Sequence, residues 1–272
     1  MYGFLRQRRW IGFALLAIFF MLLFIRLGIW QLARLTERRA SNATITANMA
    51  ATPAPLVDLV ESAPHPGDSL EWRTVAVTGR WDVAHQVYWR NRTFDGANGY
   101  EVVTPLLPAS GPALLVDRGW VPAGAAASAP DNVPLPQEGL VSVVGWLRMT
   151  QPERPSGGLA ANQVLAINAG SIARGLPYPV YDAYAILSKE SPTPASAPTL
   201  LPGPDLTEGP HLLYAIQWYL FAGIAVAGWF VYVRREAQDR VAAAATASSG
   251  DEQVSAPGPA DPPPATAQAS TH

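Results

Sequence analysis

The chain contains no cysteine, which excludes disulfides, thiolate nucleophiles and cysteine-ligated metal centres. Four methionines and four histidines are too few for a copper carrier built on soft sulfur ligands. Charged residues make up 15% of the chain and the net charge is −2 at pH 7, so there is no basic footprint for nucleic acid. Catalytic signatures are missing as well: there is no Walker loop, no G-x-S-x-G and no H-E-x-x-H. Gly96-Ala97-Asn98-Gly99 reads as a turn, since no βαβ unit surrounds it. The carboxylates are scattered along the chain without a close pair for acid–base work. An enzyme is therefore not expected. Lysine is nearly absent: Lys189 stands alone among 19 basic residues. With abundant alanine and proline, this points to a GC-rich bacterial genome.

The chain does have two long apolar runs, one near each end. A bilayer core of ~30 Å takes ~20 helical residues. Residues 10–32 meet that length with Arg26 snorkelling at one surface, and residues 211–233 meet it with no charge after His211. Arg234, Arg235 and Arg240 follow the second run, with only Lys189 within reach before it, so its C-terminal side is expected to be cytoplasmic. Arg6, Arg8 and Arg9 place the N-terminus on the same side, whereas Arg26, Arg34, Arg38 and Arg39 argue the other way. Two spans with cleaner bias at the second give both termini in the cytoplasm of a bacterial cell, with the intervening domain external. A cleaved signal peptide is the alternative for the first run, but no small-x-small site follows it. Nine residues precede it, so an organelle transit peptide is not expected.

The organisation follows. Residues 1–9 form a cytoplasmic N-terminus, and the first span continues as a helical extension within 33–70, where residues 41–69 read as a linker. Residues 71–190 read as short strands: 74–81 alternates with period two, 86–92 and 99–108 follow, 113–122 and 140–149 are apolar and β-branched, and 163–169 and 180–187 complete the set, with one helical turn at 171–174. The fold class is a membrane protein with two transmembrane α-helices flanking an antiparallel β-rich external domain, a small barrel or sandwich. Residues 191–210 form a Pro-rich hinge, and 234–272 are Ala/Pro/Ser/Thr-rich and expected as a disordered tail.

Three clusters can carry chemistry. On the second helix, His211, Trp218, Ala222, Ala225 and Trp229 fall within about 40° of one line at 100° per residue, flanked by Tyr214. A flat apolar macrocycle can lie on such a face. Pro210 suits the helix start, which puts His211 in the first turn, where the positive helix end favours the uncharged imidazole that binds metal. Interfacial His, Tyr and Trp are equally ordinary membrane-belt residues. Arg26, Trp30 and Arg34 stack at i, i+4 and i+8 on the first helix, able to pair carboxylates of a cofactor or simply lipid phosphate. In the β domain, residues 89–92, Tyr100, and Asp117 with Arg118, Gly119 and Trp120 are either a binding face or core packing.

Five motifs in order resemble the Surf1 family of cytochrome oxidase assembly proteins. They are Leu27-Gly28-Ile29-Trp30-Gln31-Leu32-Ala33-Arg34, Val75-Ala76-Val77-Thr78-Gly79, Asn98-Gly99-Tyr100-Glu101-Val102-Val103-Thr104-Pro105, Val116-Asp117-Arg118-Gly119-Trp120-Val121-Pro122 and His211-Leu212-Leu213-Tyr214-Ala215-Ile216-Gln217-Trp218. The resemblance covers residues 10–236 and implies a non-enzymatic factor for haem–copper (aa3-type) oxidases. It implies transient binding of haem a, with His211 as the metal contact, Tyr214, Trp218, Arg26, Trp30 and Arg34 around the cofactor, and Tyr100, Arg118, Gly119 and Trp120 toward a protein partner. Oxidase subunit I is the partner so implied, with haem a synthase a second candidate, in the plasma membrane. The alternative is a protein scaffold that stabilises subunit I intermediates without haem.

Overall fold

The structure is a computed structural model that describes residues 3–60, 68–124, 130, 132–155, 157–160 and 162–254. In chain order the elements are α1 (Arg8–Ala50), β1 (Ala54–Pro55), α2 (Leu56–Val60), β2 (Thr74–Trp81), β3 (Val87–Phe94) and β4 (Ala97–Pro108). They continue with β5 (Ala113–Pro122), β6 (Val141–Met149), β7 (Gln163–Val164), α3 (Ala169–Ala173), β8 (Val180–Ser191) and α4 (His211–Val254). The described chain divides into two units. One comprises Met1–Thr36 with Glu208–His272, the other Glu37–Thr207.

The first unit is a pair of helices packed side by side in opposite directions. By length and composition both α1 and α4 can cross a membrane. At one end Trp10 is buried against Val233 and Ala237, with its ring against those of Phe4, Trp229 and Tyr232. Midway, Phe24 stacks on Trp218 with ring centroids 5.8 Å apart. Gly28 then faces Tyr219 so closely that a Cβ there would lie 2.8 Å from the ring. Small residues let membrane helices approach in this way, since packing rather than water drives their association. Both helices outrun the apolar stretches. α1 continues to Ala50, so residues 41–50, expected as linker, are helical, and it stops where Pro53 and Pro55 deny further backbone donors. α4 continues to Val254, so residues 234–254, expected as a disordered tail, are helical too. Alanine-rich sequence and the Arg240–Glu236 pair, one turn apart at 2.9 Å, favour that. Residues 255–272 of the expected tail lie outside the described residues.

The second unit is one curled sheet of order β1-β2-β6-β8-β5-β4-β3-β7. It is neither a sandwich nor a true barrel: β2 also meets β4, but only across Gly79–Trp81 and Leu106–Pro108. The pairing is mostly antiparallel, with parallel steps at β1–β2, β3–β7 and β5–β8. Strand positions follow the sequence periodicity closely. The exceptions are β1 and α2, which fall within residues 41–69 expected as linker, residues 163–169, where two strand residues precede α3, and β8, which runs on to Ser191. Asn168 caps α3 by accepting from the Ser171 N–H at 2.7 Å.

Successive residues of β5 and β8 point to opposite faces, and both faces are covered. Leu114, Val116, Ala183, Ala185 and Leu187 pack on one side with Val75, Val141, Val143 and Leu147. Leu115, Tyr184 and Ile186 pack on the other with Trp72, Val103, Ile167 and Ile172. Ile45 and Met49, on the last turns of α1, join this second cluster. Polar bonds tie down the same stretch: Arg38 donates to the carbonyls of Asp205 and Thr207, and Asn48 to those of Ser69 and Glu71. Residues 41–50 are helical because one of their faces, half-buried, packs on the second cluster, a requirement that composition alone does not reveal.

Candidate functional site

His211 opens α4, its helix initiated by the bond from the Tyr214 N–H to the Pro210 carbonyl at 3.1 Å. The imidazole is half-buried, and its Nδ1 lies 2.9 Å from Oε1 of Gln31 on α1. The face predicted from spacing is real but already covered. Ala222 is buried, and Trp218, Ala225 and Trp229 are half-buried, because that face is the one turned to α1. Trp218 stacks on Phe24 rather than standing open. Tyr214 is exposed.

Arg26, Trp30 and Arg34 form an exposed stripe in which the Arg34 guanidinium lies 5.9 Å from the Trp30 ring centroid. At 100° per residue the stripe stands about 130° around α1 from the line through Phe24, Gly28, Gln31 and Leu35. The structure therefore brings His211 together with Gln31, and not with the arginine stripe. Lower in the pair an apolar groove of about 550 Å³ is lined by Phe13, Phe20, Phe24, Phe221, Gly228 and Trp229, among others. Its α4 wall begins ten residues beyond His211, roughly 15 Å along the axis at 1.5 Å per residue.

In the β domain the expected partner face is interior. Tyr100, Arg118 and Trp120 are all buried, and Gly119 (φ +126°) packs against the Thr199 carbonyl. Arg118 donates to Gln86 Oε1 and the Pro134 carbonyl, and its guanidinium lies 5.6 Å from the Trp81 ring centroid. Burial holds its pKa down to about 10. Trp120 donates its indole N–H to the Arg92 carbonyl and stacks on Phe94. These residues hold strands together, as cross-strand and core packing predicts.

Two polar arrangements were not legible in the sequence. Glu101 and Asp117, on neighbouring strands, are both buried, each with one oxygen lacking a donor among the described groups. Burial, then the Glu101 carboxylate, hold the Asp117 carboxyl well above the usual range, and a proton on Asp117 satisfies both orphan oxygens. Arg92 bonds the other side of Glu101 at 2.7 Å. The pair lies in a cavity of about 440 Å³ that also takes in Trp89, Arg148, Arg154 and Tyr184, whose hydroxyl burial pushes up to about 12. Positions 101 and 117 are separate in the sequence, and only the pairing of β4 with β5 brings them together. The second arrangement is Asp82, which accepts from Tyr178 at 2.5 Å and meets Nδ1 of His85 at 2.6 Å. Burial raises the Asp82 carboxyl, but the bonds from Tyr178 and His85 outweigh it, and it titrates below its ordinary value. Among the described residues no group of three or more His, Cys, Asp or Glu side chains is arranged to hold a metal ion.

The family model of the SURF1 family matches residues 18–223, most of the chain and all five motifs. The chain belongs to the SURF1 family. It is 30% identical over 245 residues to an uncharacterised SURF1-like protein of Mycobacterium bovis, a match covering 88% of this chain and 89% of that protein. A SURF1-like protein of Rickettsia felis is 26% identical over 215 residues, covering 77% and 90%. One from Monosiga brevicollis is 28% identical over 232 residues, covering 79% and 84%. In this SURF1 chain the first and last motifs lie on α1 and α4, where Gln31 meets His211, and the other three lie on β2, β4 and β5.

Proposed function

We propose that this protein is a membrane-anchored assembly factor for cytochrome c oxidase that carries haem a for insertion into subunit I. SURF1 membership implies the role in cytochrome oxidase assembly. The finer reading rests on His211. Its half-buried imidazole has one nitrogen engaged by Gln31, leaving the other to meet an iron. A single protein ligand suits cargo that must leave again. Tyr214 and Trp218 follow on the same helix. Arg26 and Arg34 would meet carboxylates only on the outer face of α1. The proposed topology places both termini in the cytoplasm and the β domain outside.

The test is recovery of haem with the purified full-length chain from a host that makes haem a. Wild type is expected to retain haem and His211→Ala to lose it; equal haem in both sinks the ligand role. The placement of the arginine stripe away from His211 favours a second reading, a scaffold for subunit I that never holds haem. In that case neither preparation carries haem while crosslinks to the oxidase persist.

A further inference from the structure

We propose that Gln31 is a positioning residue that fixes the His211 tautomer and so aims Nε2 at the metal. The inference rests on the reading of His211 as the haem contact and deepens it. A carbonyl oxygen only accepts, so Gln31 Oε1 at 2.9 Å requires the hydrogen of a neutral His211 ring to sit on Nδ1. The lone pair is then on Nε2. Metal-bound histidines characteristically donate their second ring N–H to an oxygen acceptor, which sets ring orientation and raises ligand basicity. Gln31 supplies that acceptor from the opposite helix, and its own position is fixed by the close approach at Gly28, one turn earlier.

The Nε2 edge of the ring lies beside Gly209. At φ +70° its backbone takes a conformation that side chains disfavour, and a Cβ there would sit 3.6 Å from Nε2 and 3.5 Å from Cδ2. The ring is thus held on its Nδ1 side by Gln31, with Gly209 beside its Nε2 edge. A purely interfacial histidine does not need the Gln31 acceptor.

The experiment has two arms on the full-length chain in detergent. In haem-free protein labelled with 15N-histidine, the His211 signals, assigned by their loss in His211→Ala, should report Nδ1 protonated and Nε2 bare. Gln31→Leu should shift them toward the Nε2–H form, and Gln31→Glu, which keeps an acceptor, should not. An Nε2–H form in wild type, or no response to Gln31→Leu, overturns the proposal. In the haem-loaded arm Gln31→Leu should weaken retention about 10-fold or more, the range for loss of such a supporting group. Gln31→Glu should restore retention and raise the iron–imidazole stretching frequency of the ferrous form. Retention and frequency unchanged in both variants, with haem lost in His211→Ala, overturns the role of Gln31 alone. Haem retained by His211→Ala sinks the ligand reading instead, whatever the tautomer.

Discussion

Gly28 of α1 sits directly against the Tyr219 ring of α4, and an added Cβ would come within 2.8 Å of it. Rigid backbone on one side and an aromatic ring on the other leave little room for relief. Gly28→Val should therefore part the helices at this level. Because the chain has no cysteine, a Gln31→Cys, His211→Cys pair reports the contact cleanly. Bridging of the two thiols by a short bismaleimide should be efficient in the Gly28 background, fall sharply with Gly28→Val, and recover in part when Tyr219→Ala is added. Undiminished crosslinking with Gly28→Val would mean that the close approach is not needed.

The opposite end of the pair separates packing from charge. The Arg9–Glu236 bridge spans 3.0 Å but is exposed on the arginine side, so Arg9→Ala should cost less than about 1 kcal/mol of pairing. Trp10 is buried among Phe4, Val233 and Ala237, and Trp10→Ala should cost several times more. A helix-proximity assay in detergent, such as crosslinking between the two ends, gives the ranking. The reverse order would refute it.

Asp117 makes a pH prediction. Its carboxyl is raised in the folded state relative to the unfolded chain. Its contribution to stability is thus full below the ordinary carboxylate value and is lost as pH rises through the folded value. Asn at this position keeps an oxygen for the Gly119 N–H and gives Glu101 a donor. Asp117→Asn should leave melting near pH 4 almost unchanged and raise it at pH 8, by about 1–3 kcal/mol, the cost of an unsatisfied buried group. Differential scanning across pH checks this, and a parallel fall of both proteins with rising pH would contradict it.

Arg118→Ala should behave as a folding lesion. It removes a buried side chain bonded to Gln86 and Pro134, at a cost on the order of 3 kcal/mol. The variant should melt earlier and be cut faster by protease within the β domain, with no partner present. Native melting together with lost oxidase contact would restore a binding role.

Much of the fold was written in local patterns. Period-two alternation located β2 to the residue, and an apolar, β-branched run located β5, whose two faces are both covered. Apolar length located the two long helices but not their ends. Residues 41–50 are helical because Ile45 and Met49 reach the core of the β domain, and that partner is distant in sequence. The same reason hid the carboxyl pair. Glu101 and Asp117 become neighbours only once β4 and β5 pair in register, with a bulge between Glu101 and Val103. His211 stood out by residue type, whereas Gln31 gained its meaning only from a helix 180 residues away. The arginine stripe was visible as spacing, but spacing does not say which side of α1 meets α4.

The interior placement of residues 116–121 has a practical bearing on genetics. Loss-of-function alleles recovered in that stretch would be selected for low abundance of the protein, not for a lost partner contact. Immunoblots should therefore precede any interpretation of such alleles as contact mutants.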